Sequence, residues 1–412
     1  MIVLVGLLSI SPKVWASGPG TTAASVLNIG VGARAIGMGE AFTAMADDVS
    51  SIYWNPAGIA LLNQSQANFM YNQAYQDMNY NSAGVGLSLE NGGIGGSLSY
   101  LGFGDIDAFD NQGNPTGTVD AYSGVATVGG GLLFDPWAVG FNMKMVQGSL
   151  ADEKATGAAF DLGGNFVVPE PVLGDSTLRI GASIRNMGTG LKYLQQKDPF
   201  PMEYRIGTSL HEVFNKRLNL GLDYGKARGN DGSIYAGGEF WLHRFLALRA
   251  GYAGNHTESN GLRAGVGLRI RDISFDYAYA SFGDLGLTHR YELLYRFGEI
   301  RPRLTPEQRK MLRQAKRAIR DHRYAEAVLL LDSLMKMEPK YKTFHRLYKV
   351  ALKGDETQDA LAKGQRNFNV LVPHKAQAQG SLSDLDDIES LLNATDQAIA
   401  QQNPKKSSGA KP

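Results

Sequence analysis

The histidine side chains are the groups best suited to metal or acid-base chemistry, and their spacing argues against both. The chain has 7 histidines and no cysteine, so thiolate metal sites, cysteine nucleophiles and disulfides are excluded. No two histidines lie four residues apart, which excludes a zincin motif. His322 and Glu326 have that spacing on a predicted helix, but one pair without a third ligand is more often a surface contact. We predict no bound metal.

Two further patterns are typical of enzymes or nucleotide binding. Gly30, Gly32 and Ala35 match a loose dinucleotide-binding spacing, but only a short apolar run precedes them and no second parallel unit follows. No serine lies in an elbow-type motif, so a hydrolase site that uses loop histidines such as His243 and His256 is the weaker alternative. We predict a protein that is not an enzyme and needs no cofactor.

Composition excludes several other classes. The 41 basic residues balance 40 acidic ones, so we expect no nucleic-acid partner. Glycine makes up 50 of 412 residues, well above the usual share of about 7%. Residues 1–16 read as a signal peptide, with an apolar stretch followed by Val14, Trp15 and Ala16 at a cleavage site; a buried strand or short helix is the alternative. Export is therefore expected.

Residues 64–298 show period-2 alternation of apolar with polar or small residues, which is typical of β-strands. One predicted strand has Leu262, Ala264, Val266, Leu268 and Ile270 on one face and Arg263, Gly265, Gly267 and Arg269 on the other. A soluble β protein would bury the apolar face. The export signal, the glycine-rich polar faces and the aromatic residues at strand ends favour a transmembrane barrel instead, with its apolar face toward lipid.

The predicted fold is an all-β transmembrane barrel of about 14 antiparallel strands, with an N-terminal plug and a small C-terminal α-helical module. Segments 102–119 and 188–201 are predicted to be longer loops. A barrel of this size has a lumen that needs filling, and residues 17–63 are the candidate plug. Charges on the polar strand faces are then predicted to face the lumen: Arg179, Arg185, Arg205, Asp223, Arg249, Arg263, Arg269 and Asp276.

One stretch of the predicted plug resembles a known family. The sequence from Gly32 to Asp48, followed by residues 53–58, is similar to the opening of PorV/PorQ outer-membrane barrels, which are associated with type IX secretion. More distantly it resembles FadL-type transporters of hydrophobic compounds, which share an Asn-Pro-Ala element after an Ala-Asp-Asp segment. The residues that carry the resemblance are Gly32, Arg34, Gly37, Gly39, Asp47, Asp48, Asn55, Pro56 and Ala57.

The motif also makes physical sense as a plug. Glycines permit close approach to the barrel wall, and Asn55-Pro56 fixes a turn whose side chain can cap backbone groups. The charges of Arg34 and of Asp47 and Asp48 are expected either to pair with luminal charges such as Asp276, Arg249 and Arg263 or only to satisfy polar groups within the plug itself.

Residues 303–402 switch to a helical period and form the predicted C-terminal module. Thr305-Pro306 marks a helix start, and residues 324–339 resemble one tetratricopeptide helix pair. The segment 301–323 contains nine basic residues and two acidic ones. This excess of positive charge indicates either a helix face exposed to solvent or attraction to anionic headgroups or partners. With an even strand count, the module is expected in the periplasm. Residues 403–412 are predicted to be disordered.

These observations predict a protein of the bacterial outer membrane in contact with its lipid. The resemblance implies a role in protein secretion or surface attachment, with secretion-machinery or cargo proteins as partners. The alternative is a FadL-like transporter in which the plug forms the site for a hydrophobic ligand. A structural tether whose helices grip periplasmic material is a third possibility.

Overall fold

The computed structural model describes residues 22–369, apart from 74–77, 152, 175, 194–196, 255–259, 282–286, 302–303, 305 and 340. The chain divides into two compact units, Met1–Arg301 and Pro302–Pro412, and each is described by itself. In the described part of the chain, no helix is both long and apolar enough to cross a bilayer. The predicted signal peptide and the C-terminal tail lie outside the described residues.

The first unit is built around a closed barrel of fourteen antiparallel strands, as the sequence predicts. The strands are β1 Ser65–Gln73, β2 Asn79–Leu89, β3 Gly92–Phe109, β4 Pro115–Phe134, β5 Trp137–Leu150, β6 Glu153–Val167, β7 Thr177–Gly188, β10 Glu203–Glu212, β11 Leu218–Ala227, β12 Ser233–His243, β13 Leu246–Ala253, β14 Leu262–Ile270, β15 Ile273–Ser281 and β16 Leu287–Phe297. A separate two-stranded sheet pairs β8 Leu191–Lys192 with β9 Lys197–Asp198.

Each barrel strand pairs with the next along the chain, and pairing of β1 with β16 closes the barrel. Ser65 pairs with Phe297, so the first strand begins and the last strand ends at the same rim. We call this rim the terminal end and the opposite rim, which carries the connection between β7 and β10, the loop end. Because the barrel is closed, no strand edge within it is left unpaired.

The alternating sequence pattern sorts side chains between the two faces of the wall. On β14, Val266 is 38% exposed and Leu268 43%, whereas Arg263 between the strand's outward residues is only 3% exposed. The same alternation runs through the other strands, so the outside carries an apolar surface and the inside carries polar and small residues. This is the arrangement that a membrane-spanning barrel requires.

The predicted loop at 102–119 is wrong. Strands β3 and β4 remain paired as far as Phe109 opposite Pro115, so the segment is an extended hairpin rather than a loop. Its tip is a short turn in which the Asp110 carboxylate accepts hydrogen bonds from the backbone N–H groups of Gln112 and Asn114. Hydrogen bonds from Asn114 and Gln112 hold the pKa of Asp110 below its ordinary value. Both faces of this part of the hairpin are exposed to solvent, so its acidic, glycine-containing sequence shows no alternation of apolar and polar residues.

The segment before β1 forms short helical turns. These are the 3₁₀ helix η1 Ser25–Asn28, the helices α1 Ala33–Gly37 and α2 Ser51–Trp54, and the 3₁₀ helix η2 Pro56–Leu61. Another short turn, α3 Val213–Lys216, connects β10 to β11. Frequent glycines and the small helix lengths keep this segment compact enough to fit between the walls.

The second unit is a set of helices, α4 Pro306–Arg320, α5 Tyr324–Met337 and α6 Lys342–Asn369. Its core joins all three helices through buried side chains such as Ile319, Leu331 and Phe344. Pro306 is the first residue of α4, and α5 ends just before Pro339, as the sequence indicates. The predicted final helix near Leu385 lies outside the described residues.

Candidate functional site: a plugged lumen

The plug fills the lumen with residues that are almost entirely buried. The described chain starts at the loop end, where the Ala23 N–H donates to the Pro199 carbonyl oxygen at 3.0 Å. It leaves at the terminal end, where the Ser88 hydroxyl donates to the Leu62 carbonyl oxygen at 2.7 Å. Between these points Ala33, Ile36, Phe42 and Trp54 are 0% exposed. The plug therefore spans the lumen from one rim toward the other.

Glycines on the luminal face of the wall make room for the plug backbone. A Cβ on Gly237 would lie 2.0 Å from the Met38 carbonyl oxygen, and one on Gly140 would lie 2.2 Å from the Pro56 carbonyl carbon. The plug's own Gly39 has φ +63° and sits against the backbone of Tyr252. Only residues without a side chain fit at these contacts. The abundance of glycine in the sequence thus reflects two backbones in direct contact.

Arg34 is the centre of one buried ion network. Its Nη1 lies 2.6 Å from Asp47 Oδ1 and 3.0 Å from Asp48 Oδ2, and its Nε lies 2.9 Å from Glu239 Oε2. Glu239 also accepts from Arg249 Nε at 2.8 Å. This network joins two parts of the plug to β12 and β13.

Asp276, one of the luminal charges named as possible partners of the plug, does not pair with Arg34. Asp276 Oδ1 lies 2.6 Å from Arg249 Nη1, so these two wall residues pair with each other. Arg34 reaches Glu239 instead, because Glu239 occupies the inward face of β12 at 1% exposure. The plug is thus attached to wall charges, but through a residue that the sequence analysis did not select.

A second buried ion network joins the plug to β7, β10 and β11. Glu203 pairs with Arg185 and accepts from Arg205 Nε at 2.7 Å. Arg205 Nη1 also donates to the Glu40 carbonyl oxygen at 2.7 Å. Its guanidinium carbon lies 5.1 Å from the centre of the Trp54 ring, close enough for a cation–π contact.

Asn55 has the capping role that its position before a proline indicates. Its side-chain oxygen accepts from the Ala57 N–H at 3.1 Å, and Pro56 is the first residue of η2. Its amide nitrogen donates to the Thr43 carbonyl oxygen at 2.8 Å and to the Gly164 carbonyl oxygen at 3.1 Å. One side chain therefore joins two plug segments to the wall.

The remaining predicted residues all lie on the luminal side or in the plug. Asp223 Oδ2 accepts from the Thr43 N–H at 2.8 Å, and Arg179 Nη1 lies 3.7 Å from Asp47 Oδ2. These two wall residues therefore contact the plug.

Two other predicted residues contact the wall itself. Arg263 donates to the Ser281 carbonyl oxygen at 3.0 Å, and the Arg269 guanidinium lies over the Trp241 ring at 4.5 Å. Within the plug, Gly37 packs on Gly265, and Gly32 has φ +91° beside Ser50.

Sequence reasoning missed the acidic partners, Glu203 and Glu239. A usable signal exists for each, because Glu203 precedes Arg205 by two residues and Glu239 follows Tyr235 by four, so each shares the inward face with its neighbour. Lys144 and Asp161, which pair at 2.8 Å, were also missed. All four residues lie within strands, at the inward positions of the alternation, so the strand pattern itself identifies them.

The luminal faces of β1 to β4 differ from the rest of the wall. The buried polar residues that the structure describes on these strands are uncharged, among them Gln66, Asn68, Ser82 and Thr127. Toward the loop end the inward residues become apolar, and a buried cluster joins Leu101 of β3, Val125 of β4 and Val146 of the neighbouring β5 to Val26 and Leu27 of the plug. We call β1 to β4 the uncharged half, and β7 with β10 to β16 the charged half.

Two cavities that described residues line inside the lumen are small. One of about 20 Å³ lies between η1 and the uncharged half, and another of about 10 Å³ lies beside Arg34 and Asp276. Each has room for about one water molecule. Among the described residues, no three His, Asp or Glu side chains are grouped closely enough to hold a metal ion.

The family comparison covers the plug and nearly the whole barrel. Residues 13–291 match the model described as Uncharacterised protein family (UPF0164). The chain belongs to the UPF0164 family. The UPF0164 match ends within β16 and does not include the helical unit. The PorV/PorQ resemblance is not confirmed by this comparison and stays a hypothesis.

Several solved structures resemble this UPF0164 chain. They include the toluene transporter TbuX of Ralstonia pickettii (15% identity, 65% of this chain and 99% of that chain, TM-score 0.47), the toluene transporter TodX of Pseudomonas putida (11%, 64% and 96%, TM-score 0.45) and a FadL homologue of Pseudomonas aeruginosa (13%, 64% and 98%, TM-score 0.40). No curated protein sequence matches the chain. The barrel itself is established by its strand pairing.

Proposed function

We propose that this protein is an outer-membrane carrier of hydrophobic small molecules and that its plug is the gate. The observation that carries the proposal is the apolar cluster at the loop end of the uncharged half and the neighbouring β5. An aqueous channel would have polar walls there, since its lumen holds water. Here Leu101, Val125 and Val146 are between 0% and 8% exposed beneath Val26 and Leu27.

The plug residues Val26 and Leu27 of this cluster belong to the segment 23–31. Residues 23–31 are held by apolar contacts and by hydrogen bonds from Ala23, from the Tyr53 hydroxyl to the Leu27 carbonyl oxygen at 3.1 Å, and from Trp54 Nε1 to the Val31 carbonyl oxygen at 2.8 Å. The ion networks hold residues 34–48. Movement of 23–31 alone would therefore expose the apolar wall and leave the rest of the plug in place.

An apolar ligand can replace the contacts that this movement removes. Covering apolar surface contributes about 25 cal/mol per Å², so a molecule that fills the place of Val26 and Leu27 offsets the cost of displacing them. The small volume of the cavity beside η1, about 20 Å³, means that the ligand must displace the segment rather than enter beside it.

Photolabelling tests this proposal. The full-length protein in lipid nanodiscs is irradiated with an alkyl diazirine, and labelled peptides are mapped by mass spectrometry. We expect saturable labelling of Val125 and Val146, which face the lumen, in addition to unsaturable labelling of lipid-facing residues. Val125→Asp should abolish the luminal labelling and Val125→Leu should retain it. Labelling confined to the lipid-facing residues in all variants would contradict the proposal.

A role in secretion or surface attachment is the second candidate function, and the helical unit favours it. Leu329 is 70% exposed and Met337 54% exposed on this unit, and the segment from Arg301 to Arg323 is strongly basic. Such a surface is suited to a protein partner. Deletion of 303–402 should remove cross-linked partner proteins and leave the heat-modifiable gel mobility of the barrel unchanged. Retention of the same partners would contradict this role.

The proposal includes the placement of each segment. We propose that residues 1–16 are a signal peptide, 17–63 the plug, 64–298 the barrel, 303–402 a periplasmic helical module and 403–412 a disordered tail. An even strand number supports the periplasmic placement, because both barrel ends then lie on one side of the membrane. Protease digestion of intact and opened cells tests it, with cleavage of 303–402 expected only in opened cells.

A further inference from the structure

The outer wall of the barrel carries an apolar groove that the proposed carrier function does not use. It has a volume of about 480 Å³ and lies across β6, β7, β10 and β11. That volume falls within the ~300–1,000 Å³ typical of small-molecule sites. Four of its lining side chains face outward from the barrel: Leu162 at 47% exposure, Tyr204 at 51%, Ile206 at 56% and Tyr224 at 50%.

Two small residues form the floor of the groove. Gly164 pairs with Ala182 across β6 and β7, and both lie on the outward face. A Cβ on Gly164 would meet nothing within 4 Å. The next residues in the same cross-strand row are Ile206 and Tyr224. The larger side chains of β10 and β11 thus form a wall beside a floor that lacks side-chain bulk.

One end of the groove carries a positive charge. The next cross-strand row joins Leu162, Ile184, Tyr204 and Lys226. Lys226 is exposed and lies one residue before β11 ends. No ion pair to Lys226 is found among the residues that the structure describes. The described lining of the groove holds no Asp or Glu side chain, so no carboxylate of that lining would repel an anionic group beside Lys226.

From this geometry we propose that the groove binds one anionic membrane lipid. An acyl chain lies over Gly164 and Ala182, and the phosphate of its headgroup contacts the Lys226 ammonium near the strand end. Charge complementarity selects this occupant, because a cation and two phenols at strand ends match a headgroup, and the apolar floor matches the chain. A neutral lipid would bind the floor without the contribution of Lys226.

Competition between two lipids tests the proposal. Delipidated full-length protein is offered equal amounts of phosphatidylglycerol and phosphatidylcholine, and bound lipids are counted by native mass spectrometry. We expect one preferentially retained phosphatidylglycerol. Lys226→Gln should lower the preference for phosphatidylglycerol about fivefold, since one lysine near a membrane surface contributes about 1 kcal/mol. Lys154→Gln, at an exposed lysine near the start of β6, should leave the preference unchanged.

A second pair of variants tests the groove itself. Ala182→Leu should fill the floor and abolish retention of the lipid. Ala126→Leu, at an exposed outward alanine of β4, is the matched control and should retain it. Heat-modifiable gel mobility verifies that each variant is folded. Equal retention by the two alanine variants, no preference between the two lipids, or a retained protein in place of the lipid would each overturn the proposal.

Discussion

The two halves of the luminal wall hold the same plug in different ways. The charged half uses buried charges, such as Glu239, which pairs with Arg34 at 2.9 Å, and Arg205, whose Nη1 donates to the Glu40 carbonyl oxygen at 2.7 Å. The uncharged half uses neutral hydrogen bonds, such as the Val49 N–H to Gln66 Oε1 at 3.0 Å, and an apolar cluster around Val26.

The two kinds of contact have different consequences for the two parts of the plug, residues 34–48 and residues 23–31. A buried ion pair is directional and costly to break on one side only, so the charged half fixes where residues 34–48 lie. Apolar contacts are non-directional and can be replaced by another apolar molecule. In the proposed carrier, the uncharged half would therefore exchange residues 23–31 for a ligand while the charged half keeps the rest of the plug fixed.

Breaking the charged half should have the largest effect. Glu239→Ala leaves Arg34 and Arg249 buried without this partner, and removing one member of a buried pair costs about 3 to 5 kcal/mol. The free energy of unfolding in detergent, followed by tryptophan fluorescence and gel mobility, measures the loss. Glu212→Ala is the matched control, because Glu212 is exposed and its ion pair with the exposed Lys216 is long, at 3.9 Å. Equal losses in both variants would contradict the role of the network.

The glycine contacts should give the next largest effect. Gly237→Ala places a Cβ 2.0 Å from the Met38 carbonyl oxygen, and overpacking of this kind costs about 1 to 3 kcal/mol. We expect the plug to become sensitive to limited proteolysis near Met38. Gly164→Ala on the outer face is the control and should leave proteolysis unchanged. A resistant Gly237→Ala plug would show that the two backbones do not meet as described.

The uncharged half should show a smaller effect. Gln66→Ala removes the acceptor for the buried Val49 N–H, and an unsatisfied buried donor costs about 1 to 3 kcal/mol at most. The same unfolding measurement should give a smaller loss than for Glu239→Ala. A loss as large as that of Glu239→Ala would remove the distinction between the two halves.

Asn55→Ala should give an effect at least as large as that of Gln66→Ala. The cap to Ala57 and the hydrogen bonds to Thr43 and Gly164 are lost together; the cap typically contributes about 1 kcal/mol, and the unpaired buried groups add to the loss. Apolar-ligand labelling of Val125 should change with it if the plug is the gate. Unchanged labelling would count against the plug's role, and Asn55→Ser, which keeps a neutral cap acceptor, separates the loss of the cap from the loss of the two donated hydrogen bonds.

The barrel could be predicted from sequence because its signal is local. Period-2 alternation, as in β14 with Val266 outward and Arg263 inward, follows directly from strand geometry. The hairpin at 102–119 was missed because outside the barrel neither face is buried, so no alternation is imposed. Its pairing of Phe109 with Pro115 has no such pattern to reveal it.

The contacts within the lumen were harder to predict. That Arg34 faces inward follows from the plug motif, but its choice of Glu239 over Asp276 depends on how the plug folds against walls far away in sequence. The same holds for the apolar patch on β3 to β5, since Leu101 and Val125 lie on faces that are otherwise polar. In the sequence each of these residues only interrupts the polar face of its own strand. The pairing of neighbouring strands brings them together into one apolar cluster.

In the proposed carrier, residues 23–31 must leave the uncharged half before an apolar molecule can pass. Because the chain has no cysteine, Leu27→Cys and Val125→Cys can be joined by a short cleavable thiol cross-linker without side reactions. The measurement is the initial rate at which cells carrying the protein take up a fluorescent apolar probe, with each single-cysteine variant as a control. We expect cross-linking to abolish uptake and cleavage of the linker to restore it. Uptake at the same rate in the cross-linked protein would contradict the gate.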